Sequence, residues 1–189
     1  MQPLIVYDGN VSDSSAAPGR LEQVRTFLNT WRIPNGTRTA VDQLTERTTA
    51  LASWAKTMPD IPPCGRRELG NVRAVRDELR SALGQTNPTS LADLVDAQRW
   101  HIELTSFPTR PALRMVPARP TTIGSVLAIV LDAVAAGTWH RLRACPDCGW
   151  VFYDSSRNAR RTWCSMTAAG GARGCGSIAK TRAYRTRHR

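Results

Sequence analysis

Residues 145–154 read Cys145-Pro146-Asp147-Cys148-Gly149-Trp150-Val151-Phe152-Tyr153-Asp154, and two more cysteines follow, Cys164 and Cys175. The spacing is C-x2-C-x15-C-x10-C. A Cys-x-x-Cys turn aims two thiolates at one point. The next fifteen residues are long enough to bring a third ligand back. Zn²⁺ takes four thiolates in a closed tetrahedron, so the set predicts a structural zinc site with Cys145, Cys148, Cys164 and Cys175 as ligands. A closed site leaves no position for water, which argues against catalysis at the metal. The fourth ligand follows a Gly/Ala-rich stretch, Ser165 to Gly174, and His140 and His188 are the substitutes. A thioredoxin-like pair is disfavoured because no βαβ pattern precedes it. Cys64 stands alone beside Pro62-Pro63 and reads as a free loop thiol.

Charge follows the cysteines. The chain has 189 residues, 26 Lys+Arg against 15 Asp+Glu, and a net charge of +11. Residues 141–189 carry 11 basic and only two acidic residues, Asp147 and Asp154, whereas residues 1–140 carry 15 and 13. A near-neutral body therefore bears a basic C-terminal quarter, the footprint of a polyanionic partner, nucleic acid first. Only Lys56 and Lys180 are lysines, and part of the Arg dominance can come from GC-rich coding. The apolar content of 41% excludes a disordered chain. The longest apolar stretch, Ile123 to Ala136, is too short for a membrane span. Leu4-Ile5-Val6-Tyr7 lacks the flanks of a signal peptide. We expect a cytoplasmic protein.

The body reads as mainly helical. After an extended start and a loop over 1–19, Leu21, Val24, Leu28 and Trp31 form a helical stripe that Pro34-Asn35-Gly36 ends. Thr39 is placed to cap a second helix carrying Val41, Leu44, Leu51, Trp54 and Met58. A third helix is predicted from Arg67 to Leu83, stopped by Gly84, and a short fourth opens at Pro88-Thr89-Ser90. The period then drops to two. Trp100, Ile102 and Leu104, then Leu113 and Met115, predict a hairpin whose prolines confine it to an edge. Thr121 or Thr122 caps a last body helix through Val134, the centre of the core. These stripes read as core. No phosphate loop, Ser-His-Asp set or carboxylate pair is recognisable, so we expect no enzyme.

In the basic quarter, Trp150 and Phe152 share one face of a strand and Val151 and Tyr153 the other, packing around the metal or, for Trp150 or Tyr153, stacking on bases. Arg157, Arg160 and Arg161 follow in a turn. From Cys175 a helix is predicted, with a cap at Gly176-Ser177 and with Lys180, Arg182, Arg185 and Arg187 as contacts to DNA phosphates or bases.

The run Cys145 … Cys148, Phe152-Tyr153-Asp154-Ser155-Ser156-Arg157-Asn158, Arg161-Thr162-Trp163-Cys164-Ser165-Met166 and Cys175-Gly176-Ser177-Ile178-Ala179-Lys180 resembles the CGNR zinc finger family. Phe27-Leu28-Asn29-Thr30 and Leu51-Ala52-Ser53-Trp54 resemble the helical ABATE domain that precedes this finger. The resemblance implies a stress-induced bacterial transcription regulator. Ser177 and Ile178 stand where the family carries Asn and Arg, and the last two cysteines are further apart than is usual. The expected fold is mainly α with a small β-hairpin in the body (1–140, sensor or dimerisation candidate), plus a zinc-ribbon-like module (141–189) ending in a basic helix. The expected cofactor is zinc and the expected partner DNA, with RNA or protein as the alternative. A homodimer and an effector on the body are further candidates.

Overall fold

A computed structural model describes residues 15–106, 111–167 and 174–188. The extended start expected before residue 15 lies outside these. Among the described residues the fold is mainly α-helical, with three two-stranded antiparallel sheets.

The core forms where three apolar helix faces meet. Helix α1 (Leu21–Leu28) buries Leu21, Val24, Phe27 and Leu28. Two short strands, β1 (Trp31–Arg32) and β2 (Val41–Asp42), pair antiparallel behind it. Helices α2 (Leu44–Thr49) and α3 (Leu51–Thr57) follow, then α4 (Leu69–Ser81), which buries Leu69, Val72, Val75 and Leu79. A 3₁₀ turn, Thr89–Leu91, leads into the short α5 (Ala92–Asp96). Strands β3 (Trp100–Ser106) and β4 (Pro111–Pro117) form the expected hairpin, with Ile102 opposite Met115 and Leu104 opposite Leu113. Helix α6 (Thr122–Ala135) completes the body, and α1, α4 and α6 pack against one another. Thr121 caps α6 by accepting the Gly124 amide at 3.0 Å. Trp54 and Trp139 are buried and satisfy their indole N–H groups on the carbonyls of Ile61 and Ala82.

Several expectations need correction. Trp31 lies on β1, opposite Asp42, and not on the first helix. The second helix is two helices, and Val41 belongs to β2. The break falls at Ala50, whose ψ of 66° is not helical. Just before it, the hydroxyls of Thr48 and Thr49 bond back to carbonyls three and four residues earlier, which competes with a continuing helix. On the hairpin, Ile102, Leu104 and Leu113 face solvent, each more than two-thirds exposed. The hairpin meets α6 through β4 instead: Arg114 pairs with Asp132 at 3.0 Å, and Gly124 leaves room for Pro117, where a Cβ would approach to 2.8 Å. Cys64 is free but buried, and desolvation raises its thiol pKa.

The C-terminal module grows out of this body. A 3₁₀ turn, Trp139–Arg141, runs into β5 (Leu142–Ala144), which pairs antiparallel with β6 (Val151–Tyr153). Helix α7 (Cys175–Arg187) ends the described chain. The strand β6 is a partition. Val151, with Leu142, is buried in the body's core, whereas Phe152 is buried among the four cysteines with Trp150 and Trp163 against it. This is the alternation that period two predicts, with a different core on each face.

Candidate metal centre

Four cysteines from three separate segments converge. The sulfurs of Cys145, Cys148, Cys164 and Cys175 all lie within 4.8 Å of one another, and all four residues are buried. The Cys148 and Cys164 sulfurs are 3.6 Å apart. A tetrahedral Zn–S₄ site with bonds of about 2.3 Å has S···S edges of about 3.8 Å, so the donor set fits such an ion. His140 and His188 are not in the group. His188 instead lies against Tyr184, with ring centroids 4.3 Å apart.

The local sequence explains each ligand's position. Cys145 and Cys148 sit on the turn joining β5 to β6. It is closed by the Gly149 amide donating to the Cys145 carbonyl and the Cys145 amide donating to Trp150, at 2.8 and 2.9 Å. Gly149 has φ +67°, and a Cβ there would come within 2.5 Å of Trp31, so glycine is required twice over. Cys164 is held by Arg161, whose guanidinium donates to the Trp163 and Cys164 carbonyls and lies 4.9 Å from the centre of the Phe152 ring. Cys175 opens α7. The loop before it is pinched at its neck. The amides of Gly174 and Gly176 donate to the carbonyls of Met166 and Ser165, at 3.2 and 3.0 Å, which ties the start of α7 to the Cys164 segment, and residues 168–173 lie outside the described residues. Side chains at Gly174 or Gly176 would collide with this neck, with a Cβ at Gly176 only 2.2 Å from the Met166 sulfur. Ser177 does not cap α7 as expected. Its hydroxyl donates to the Met166 carbonyl at 2.5 Å, tightening the same neck, and Gly174 occupies the cap position.

The electrostatics also call for a cation. The Cys145 thiol is held far below its usual range because Cys148 and Cys164 donate hydrogen bonds to it. In return Cys148 is pushed up to about 12 by its hydrogen bond with Cys145, and Cys164 is pushed up as well. Burial first of all raises Cys175. Four thiolates coexist there only with a divalent ion between them.

Residues 141–188 match the CGNR zinc finger family. No curated protein matches the chain. The zinc finger match and the four clustered cysteines together point to a bound metal ion in this module.

The body supplies much of the support, and sequence reading missed it. Asn29 grips β6 twice, donating to the Val151 carbonyl at 2.9 Å and accepting the Val151 amide at 2.7 Å. The Ile33 amide donates to the Cys148 carbonyl at 2.8 Å. Arg80 donates to the carbonyls of Leu28 and Gly149 and lies 4.7 Å from the Trp31 ring centre. Burial lowers its pKa to about 10. Arg38 forks the Asp147 carboxylate at 3.1 and 3.2 Å. The only hint in the sequence was Phe27-Leu28-Asn29-Thr30, where two polar residues close an otherwise apolar helix face.

A second buried group organises the loop after β6. The Asp154 carboxylate accepts the amides of Ser156 and Arg161, at 2.9 and 2.6 Å. Burial raises its pKa, but these bonds outweigh that and hold it below the ordinary value. Arg141 and Arg143 donate to carbonyls of the same loop. The positions expected to touch nucleic acid fall into two groups. Arg157 and Arg160 on this loop, and Lys180, Arg185 and Arg187 on α7, are exposed. Arg161 turns inward onto the Cys164 loop, and Arg182 pairs with Asp147 at 3.1 Å.

No helix among the described residues is long and apolar enough to cross a membrane.

Proposed function

We propose that the chain is a zinc-dependent DNA-binding protein, a bacterial transcription regulator in the cytoplasm whose C-terminal module grips duplex DNA. One observation carries this reading: the first residue of the exposed basic helix α7 is itself a member of the four-cysteine cluster. A metal there fixes a row of cations in space. Lys180, Arg185 and Arg187 on that helix, with Arg157 and Arg160 on the neighbouring loop, have no carboxylate partner among the described residues. Such cations bind phosphates and release counterions, and arginines within reach of the major groove select guanine. The body is read as ABATE-like, a sensing or dimerising unit. A half-open apolar groove between α5 and α6, lined by Leu91, Val95, Leu127, Val130 and Val134, is where an effector of the body would be sought.

The test is binding of the zinc-loaded full chain to a random duplex pool, with sequencing of what is retained and titration over salt. Binding should fall steeply with salt. The double substitution Arg185→Ala with Arg187→Ala should flatten that slope by about two charges' worth. Arg182→Ala should act less, because its guanidinium is already paired. Preference for structured RNA over duplex DNA in competition would favour the alternative reading, an RNA module. Salt-insensitive binding, equal in parent and variant, would refute both.

A further inference from the structure

The sequence places the metal site wholly within 145–175, yet one body residue reaches it. Asn35 follows β1 in the turn Pro34-Asn35-Gly36, and its amide nitrogen lies 3.4 Å from the Cys175 sulfur. The same sulfur is 3.6 Å from the amide oxygen, so the direction of the bond must be decided. Two facts decide it. A metal-bound cysteine is a thiolate with no proton to give, so it can only accept. Arg38 donates to the Asn35 oxygen at 3.4 Å, and a guanidinium has no acceptor, so the nitrogen faces the sulfur. Arg38 is held in turn by the Asp147 carboxylate and by the Asp147 carbonyl, inside the Cys-Pro-Asp-Cys turn. The relay Asp147–Arg38–Asn35–Cys175 therefore links the first pair of ligands to the last one through the body.

On the reading that the four cysteines bind zinc, we propose that Asn35 is a positioning residue of the metal centre, donating its amide hydrogen bond to the Cys175 thiolate. Cys175 is the ligand that most needs it. It comes last, after the longest departure from the expected spacing, and among the described residues the backbone on either side of it is tied to the module at the neck, Ser165 and Met166. A donor from outside the module both orients its sulfur and stabilises the negative charge on it. Hydrogen bonds of this kind, made by residues that do not touch the metal, typically hold about 10–100-fold of metal affinity. Metal retention is then a property of the whole chain, and anything that moves the 31–38 segment loosens the site.

The test uses the full chain as parent, Asn35→Leu and Asn35→Asp. Leu keeps the size and removes the donor, and Asp keeps the shape but offers only acceptors. Each is loaded with one equivalent of zinc and titrated with a chromophoric chelator. Both variants should lose zinc at about tenfold lower chelator concentration or less. Cobalt is then substituted for zinc. Loss of a hydrogen bond to a thiolate raises the energy of the sulfur lone pair, so the sulfur-to-cobalt charge-transfer band should shift to longer wavelength in both variants. Affinity within about twofold of the parent, or a weakened site with an unmoved cobalt band, overturns the assignment. The second result would mean loosened structure without a lost donor. A parent that takes up no metal overturns the zinc reading along with it, which separates the two failures.

Discussion

The two faces of β6 look into different kinds of core. On the Val151 side lies the body's cluster, built from Leu, Val, Ile, Phe and Trp side chains of α1, α4 and α6. On the Phe152 side lie four cysteines with Trp150 and Trp163 at the rim. The first core is held by apolar burial at about 25 cal/mol per Å². The second contains one buried aromatic ring and four thiols, which do not replace such burial unless a metal joins them. A three-residue strand thus separates a core of apolar packing from one whose four cysteines fit a metal ion. The difference teaches that the module leans on the body on one side and, on the proposed zinc reading, on the ion on the other.

Removing the ion should break the comparison most visibly. In Cys148→Ser, or in chelator, amide hydrogen-exchange protection should collapse over 160–167 and 174–187 while α1, α4 and α6 stay protected. Structural zinc sites in isolated fingers are worth on the order of 10–16 kcal/mol, far more than this small core can replace. Unchanged protection of α7 without metal would show that the body alone holds the module.

The seam comes next. Gly149→Ala forces a left-handed backbone on a residue with a Cβ and drives that Cβ onto Trp31. We expect a loss of about 3 kcal/mol, adding backbone strain and overpacking, read as a lower denaturation midpoint. Asn29→Ala leaves the buried Val151 amide without a partner, because its carbonyl still receives Arg25 but its N–H bonds only to Asn29. The expected cost is about 2 kcal/mol. If the module were independent of the body, Asn29→Ala would leave metal affinity unchanged. Dependence predicts that affinity falls with stability.

The smallest effect at neutral pH is electrostatic. Behind α1, the fully buried Arg76 meets Asp42 at 2.9 Å. Burial raises the Asp42 pKa, but the Arg76 hydrogen bond and charge outweigh this and hold it below its ordinary 3.8. A carboxylate depressed on folding contributes stability above its unfolded value and loses it as pH falls through the folded one. The body's melting temperature should therefore show no dependence on Asp42 from about pH 5 to 8 and should fall below 3.8. A body whose stability ignores acid would mean that Arg76 finds its compensation elsewhere.

Much of this was readable in advance where the signal is local. The stripes of α4 and α6, the stop at Gly84, the hairpin and the alternation of Trp150 and Phe152 against Val151 and Tyr153 follow from period and turn chemistry. The convergence of the four cysteines followed from spacing, because few arrangements of that kind do anything but gather round a metal. Other expectations failed where a local preference met a distant partner. Trp31 continued the helical stripe of α1, but the chain turns at Asn29 and Thr30 and puts its ring between Arg80 and Gly149. Ile102 and Leu104 alternated correctly, but which face met α6 was settled by Arg114, Asp132 and Pro117 on the other strand.

The sequence by itself determined which cysteines gather into one cluster and where the positive charge concentrates, since both are matters of residue type and short spacing. Only the tertiary structure decided that Asn29, Ile33, Asn35, Arg38 and Arg80 belong to the metal module's surroundings. Their contacts span more than a hundred residues of chain, or in Arg80's case about seventy, and a hydrogen bond over that distance leaves no periodic trace. The same holds for Arg161 and Arg182. Their charge is plain in the sequence, but whether a guanidinium faces a carbonyl, a carboxylate or solvent is fixed only when the chain around it has folded.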